Sequence, residues 1–440
     1  TDFSDASLKG TRLHGANLRD ANLSGATLDG AFLHRAYCGE TNFSGATMTE
    51  AGLICADLEK TNLSGATLDK ATLNQALCGE TDFSDASLKG TRLHGANLGK
   101  ANLSGATLDR AVLNRAYCAV TNFSDASLEG TRLQGTDLRN ANLSGATLDN
   151  AFLNRTYCEG TDFSGATMTE AEILTCDFTN ANLSHANLEG ANFAGTNFHG
   201  ANFSGASMEV ATSDDIIVQI EHRDYGVGKN TNLVMTNCED ADFSGARMKG
   251  AQLQGSDLTN ANLSGANLDG AVLDRANCED ADFSGAQLGN ADLTRADASG
   301  ARFDAASLAL ATLDASRLEE ASFVGAYMPG ASLKKVRGKG ANFKNASLSG
   351  ANLSQAVFIY SNFVSANLGG RSQGHPGPSG AVLKGTDLSN ADLSNANLVN
   401  ARLNEAILIN ADLGGANLGF ADLSWSRATG AKFNDADMGW

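Results

Sequence analysis

The sequence predicts an all-β solenoid, a chain wound into four-sided coils of short extended pieces joined by bends. Two periods predict it. A large apolar residue recurs at positions whose numbers end in 3 or 8, from Phe3, Leu8 and Leu13 to Phe433 and Met438. A spacing of five fits neither a helix at about 3.6 residues per turn nor a strand at about 2, so the chain must bend at every pentad. A longer period of 40 residues appears as near-copies, Thr1 to Leu18 being nearly repeated by Thr81 to Leu98. Phe takes the apolar place at Phe43, Phe83, Phe123, Phe163, Phe203, Phe243 and Phe283, then every 20 residues at Phe303, Phe323, Phe343 and Phe363. Twenty residues are four pentads. Four pentads per coil would stack those Phe side chains in one interior column.

The pentad is clearest at Ala101-Asn102-Leu103-Ser104-Gly105, which recurs at Ala21 to Gly25, Ala141 to Gly145 and Ala261 to Gly265. It reads as a small residue, a polar residue, a large apolar residue and two small or polar ones. If each pentad is a short extended piece plus a bend, Ala and Leu point inward and the other three face water. This A(D/N)Lxx signature resembles the pentapeptide-repeat family over the whole chain except two interruptions. The resemblance implies a right-handed quadrilateral parallel β-helix, with the third-position Leu or Phe and the Ala two residues before it turned inward. At 20 residues per coil, 440 residues predict about 22 coils, a rod of roughly 100 Å at the usual strand spacing. Stability would come from nearest-neighbour stacking of coils rather than from one globular core.

Residues 1–210 are the most regular stretch. Cys38, Cys78, Cys118, Cys158, Cys238 and Cys278 occupy the apolar place. Successive members two coils apart lie about 9.6 Å from each other, beyond the roughly 7 Å that a disulfide tolerates. They read as small buried hydrophobes. Cys55 and Cys176 fall outside the apolar place and take no role from the pattern.

The first interruption, 211–230, is 20 residues long and leaves the phase intact. It is either an irregular coil or a loop standing off a coil that closes beneath it. The coil is favoured because Ile216 and Val218 fit inward positions, with a bulge after Gln219. Loops on rigid scaffolds carry recognition residues, which makes His222, Arg223, Asp224 and Tyr225 candidate protein contacts; a tolerated insertion explains them as well.

Residues 231–368 resume the repeat. Lys334, Lys335, Arg337 and Lys339 form a basic cluster on an otherwise acidic chain, and Gly338 takes a place that should hold Leu. The cluster is a candidate docking spot for an acidic partner, against the commoner reading of a solvated, distorted corner. The second interruption, 369–380, holds no apolar residue and reads as an exposed loop. The repeat returns at Ala381 in phase, which puts Leu383 in the column of Phe363 and makes the loop a replacement for two sides of one coil. Residues 381–440 are regular, with Trp425 and Trp440 at outward positions, where an exposed Trp suits a protein contact. The chain opens without Met and in register at both ends, which reads as a trimmed fragment.

A formal net charge of −18 speaks against direct binding to nucleic acid or an anionic membrane. No apolar run approaches the roughly 18 residues of a membrane span. The seven His have no recurrent Ser or Cys partner, the carboxylates are scattered, and neither a phosphate-cradling Gly loop nor a metal-binding HExxH or CxxC spacing occurs. The chain is therefore expected not to be an enzyme and to need no cofactor. It is expected to be a rigid scaffold or accessory subunit for a protein partner or large complex. The resemblance adds two implications. Members abound in cyanobacteria and occur in chloroplasts, which makes a photosynthetic assembly a candidate partner and thylakoid association a candidate location beside the cytoplasm. Others mimic duplex DNA and bind DNA gyrase, so topoisomerase is the alternative partner. Roughly 100 Å of duplex carries about 60 charges, far more than this chain.

Overall fold

The computed structural model describes residues 1–208, 231–370 and 379–439. The chain forms two compact units, Thr1–Asn232 and Leu233–Trp440. Neither contains a helix among the described residues. In the first unit the pentads pair through parallel bridges with the pentad twenty residues on. Asp2↔Asn22, Ser7↔Thr27, Arg12↔Phe32 and Asn17↔Tyr37 make the four sides of one coil, and each series continues at the same step. The second unit is built alike, from Asn237↔Asp257 onward.

The pentad explains itself when its N–H groups are followed one by one. Phe3 N–H donates to the Asn22 carbonyl at 2.7 Å, Asn22 N–H donates back to Thr1 at 2.8 Å, and Asp5 N–H reaches Ser24 at 2.9 Å. Ala6 N–H closes the bend on the Phe3 carbonyl at 3.1 Å. The third residue of that bend is left-handed, with φ of 57° at Asp5 and 65° at Gly25. This is the placement of a type II turn, and it favours Gly or Asn. The backbone leaves one donor over, on the second residue of the bend. The Asn or Asp two residues earlier accepts it, as in Ser144 N–H to Asn142 Oδ1 at 3.0 Å. Where that position is Thr or Ser and an Asp stands in the same bend one coil below, that Asp accepts, as in Thr49 N–H to Asp29 Oδ1 at 3.0 Å and Thr169 N–H to Asp149 Oδ1 at 2.8 Å. The polar residue of the pentad is thus a turn acceptor and not merely a solubilising one.

The inward positions are as the periodicity requires. Leu103, Leu143 and the Phe columns are fully buried, as are most of the Ala residues two positions before them. Each large side chain contributes about 1.5–3 kcal/mol by burial. In the second unit Phe283, Phe303, Phe323 and Phe343 stack at 4.7 Å between ring centroids, with planes within 2° to 5° of parallel. The stack measures the rise of one coil. Thr replaces Ala at buried places such as Thr41 and Thr81 without leaving a polar group unpaired, because its hydroxyl donates to a carbonyl of the coil below, Leu18 at 2.7 Å and Leu58 at 2.6 Å. Cys176 uses this same place, its Sγ 2.9 Å from the Leu153 carbonyl, which supplies the role the pattern could not.

All eight cysteines are free. Burial pushes the Cys38 thiol up to about 12 and Cys176 to about 11, so neither is a thiolate near neutral pH. Only Cys55, at a left-handed bend, is partly exposed. Under native conditions a thiol-reactive dye is expected to label Cys55 first and the other seven only after denaturant is added. Rapid native labelling of Cys78 or Cys118 would contradict their burial.

Both interruptions shift the register. Asn192 pairs with Asn232, forty residues on, and the Thr231 hydroxyl lies 3.0 Å from the Leu188 carbonyl and 2.9 Å from that of Met208. Thr231 therefore stands where residue 211 would continue the coil. The flanks thus close on each other, whereas the irregular coil or loop expected at 211–230 falls on residues outside the described ones. Residues 209–230 themselves lie outside the described residues. At the second interruption Leu353 N–H donates to Val382 and Phe363 N–H to Asp392, both at 30-residue offsets, and Ala381 N–H closes the bend on Leu368 at 2.8 Å. Leu383 consequently lies over Leu353 and not in the column of Phe363, which continues as Leu393. The segment adds ten residues within one bend instead of replacing two sides of a coil.

Candidate functional site

The basic cluster is presented by two successive bends and the side between them. Lys334, Lys335, Arg337 and Lys339 are all exposed, and Lys335 is left-handed at φ 58°. Lys334 is tied to the coil below: Asp314 accepts its N–H at 3.0 Å, and its Nζ lies 3.5 Å from the same carboxylate. Arg337 pairs with Arg317 across one coil step. Arg317 is neutralised by Asp297 at 2.8 Å and Glu319 at 3.7 Å. Among the described residues Lys335, Arg337 and Lys339 have no ion pair. The cluster thus offers three free cations on an acidic chain. Its geometry is not that of a distorted corner, because Gly338 keeps the ladder with N–H to Val357 at 2.8 Å. The missing Leu is replaced from the next coil by Phe358, whose ring would stand 2.5 Å from a Cβ at Gly338.

Trp425 is 87% exposed at a left-handed bend near the 64% exposed Phe420. His222, Arg223, Asp224, Tyr225 and Trp440 lie outside the described residues. Among the described residues no group of His, Cys, Asp and Glu is arranged to hold a metal ion, and no helix is long and apolar enough to cross a membrane.

One surface feature escaped the reading of the sequence. Tyr37, Leu77, Tyr117 and Tyr157 stand on a single side of the first unit, two coils apart, each between 45% and 55% exposed. Asp57, Asn97 and Asp137 lie between them, only half-exposed. The signal was the 40-residue recurrence itself, carried by an outward position as well as by the inward Phe and Cys.

Coils of this step with ladders of outward side chains define a repeat solenoid. The family described as pentapeptide repeats (8 copies) matches residues 1–35, 33–65, 61–99, 101–140, 141–173, 176–209, 229–260, 261–297, 339–370, 379–408 and 406–439. The chain belongs to the pentapeptide-repeat family, whose fold is a right-handed β-helix and whose members are in general non-enzymatic structural or interaction proteins. Lys334, Lys335 and Arg337 fall in an unmatched stretch, although its bridges continue at the regular step.

The solved structures similar to the chain include three of its family. HetL, a pentapeptide repeat protein involved in heterocyst differentiation regulation from the cyanobacterium Nostoc sp. strain PCC 7120, is 30% identical over 47% of this chain and 88% of its own, with a TM-score of 0.27. QnrB1, a plasmid-mediated fluoroquinolone resistance protein, is 20% identical over 50% of this chain and 86% of its own, with a TM-score of 0.25. A pentapeptide repeat protein from the Arabidopsis thaliana thylakoid lumen is 34% identical over 28% of this chain and 71% of its own, with a TM-score of 0.19. No curated protein matches the chain by sequence.

Proposed function

We propose that the chain is a non-enzymatic scaffold or accessory subunit that holds protein partners within a larger assembly. The observation that carries this reading is the basic cluster: three cations without ion pairs, held by an intact ladder on a chain of net charge −18. Unpaired cations in such a setting attract an acidic protein surface and speed its encounter. Trp425 adds an aromatic anchor of the kind enriched at interfaces. His222, Arg223, Asp224, Tyr225 and Trp440 remain candidates on sequence grounds.

Capture from an extract of the native source with the full-length chain is expected to recover a defined protein complex. Replacing Lys334, Lys335, Arg337 and Lys339 by Gln is expected to reduce the recovery about tenfold with the melting curve unchanged. Potent inhibition of gyrase supercoiling, with capture of topoisomerase alone and indifference to the four replacements, would overturn the scaffold in favour of DNA mimicry. A mimic depends on distributed acidic charge rather than on a local basic patch.

A further inference from the structure

The side carrying Tyr37, Leu77, Tyr117 and Tyr157 is a regular array of ridges. Two coils at about 4.8 Å each set successive ridges about 9.6 Å apart, in line with the 4.7 Å step of the stacked Phe rings in the second unit. Beside the ridges runs a trough with a floor of small residues, Gly79, Gly99 and Ala119, opening into a cavity of about 250 Å³. The floor must be small there. A Cβ at Gly99 would lie 2.7 Å from the Tyr117 ring.

One further observation bears on the occupant. Val120, on the trough wall, takes the left-handed place of its bend at φ 60° like the other bend residues and adds a 54% exposed apolar side chain. The cavity lining holds two acidic and two basic side chains, Glu59 and Glu80 with Lys60 and Lys100. On the ridge side Arg19 pairs with Asp57 at 2.7 Å and Arg139 with Asp137 at 2.6 Å, with Asp20 and Glu40 close to the first pair. The occupant is therefore a chain without acidic side chains and with a repeat near 9.6 Å.

We propose that this stripe binds a proline-rich segment of a partner protein in the polyproline II conformation, laid along the stack of coils; the inference rests on the scaffold reading. Polyproline II has about 3 residues per turn and rises about 3.1 Å per residue, hence about 9.3 Å per turn. One turn spans two coils, so every third residue meets a ridge. An extended strand, repeating every 6.6–6.8 Å or so, fits neither one coil nor two. Aromatic side chains are the usual lining of grooves that take proline rings. The carbonyls of a polyproline helix have no internal partner, and the Tyr phenols can donate to them. Asn97 adds donors, since its Oδ1 is occupied by Gly99 N–H at 3.1 Å while its NH₂ is available.

Fluorescence anisotropy with the full-length chain and a labelled proline dodecamer, about four turns long, tests this. Saturable binding is expected, and a Gly-Ser peptide of equal length should not compete. Tyr117→Ala and Tyr157→Ala are each expected to weaken binding about tenfold. Leu77→Tyr, which completes the ladder, should strengthen it several-fold, and Phe32→Ala, at an exposed aromatic on another side, should leave it unchanged. Absence of saturable binding, binding indifferent to Tyr117 and Tyr157, or Tyr117-dependent binding of cellohexaose instead of the proline peptide would each overturn the proposal. Capture of a protein complex that survives Tyr117→Ala with Tyr157→Ala would overturn it too, while leaving the scaffold reading standing. Failure of any capture from native extract would strike the scaffold reading itself.

Discussion

Leu103→Asp is expected to destabilise the first unit by about 4 kcal/mol or more, and Leu103→Met by less than about 1.5 kcal/mol. Leu103 is fully buried. Its own N–H donates to Asn122 at 2.6 Å, and Phe83 N–H donates to Asn102 beside it at 2.7 Å. A carboxylate there would meet only the apolar side chains of the coil and of the coils above and below. Because each coil depends on its neighbours, the damage should spread to both. Hydrogen exchange across residues 83 to 123 is expected to lose protection well before denaturant unfolds the parent. A Leu103→Asp chain that unfolds along the parent's curve, with protection intact, would show that position 103 does not face the interior.

Gly338→Leu is expected to destabilise the second unit, although it restores the residue that the repeat would place there. Substitution toward a repeat's common residue ordinarily stabilises. Here the volume is taken. The Phe358 ring lies 2.5 Å and 2.7 Å from where the new Cβ would be, and it is held edge-on between Phe343 at 5.3 Å and Phe363 at 5.6 Å. Overpacking of this kind costs about 1–3 kcal/mol, and Phe358→Ala alone should cost about 3–5 kcal/mol by leaving a cavity. Combining Gly338→Leu with Phe358→Leu is expected to recover most of the loss. The coupling should exceed about 1 kcal/mol in a double-mutant cycle read by denaturant unfolding. Strict additivity, or a Gly338→Leu chain more stable than the parent, would mean that Phe358 does not fill the place that Gly338 leaves.

The sequence by itself determined the solenoid, the inward positions and the four-pentad coil. The pentad is a local unit. Its extended piece and bend fix which of five residues turns inward wherever the unit occurs, and the 20-residue spacing from Phe283 to Phe363 then states how many units close a coil. The identity of the basic residues was legible for the same reason, since outward positions follow from inward ones.

The tertiary structure decided what depends on which coil lies underneath. A return in phase after 369–380 is satisfied equally by an offset of 20 or of 30 residues, because both are multiples of five; only the pairing of Leu353 with Val382 selects 30. Lys334 is paired because a carboxylate, Asp314, lies one coil below it, whereas Arg337 is left free because the residue one coil below it is another cation, Arg317, which itself takes Asp297 and Glu319. Gly338 is no defect because the ring that fills its place comes from the following coil. The Asn and Asp acceptors follow the same logic, since a turn N–H can be satisfied within its own pentad or from the pentad beneath. Periodicity specifies every contact made inside a pentad. Contacts between coils form across twenty or more residues, so they depend on the register with which one coil settles on the next.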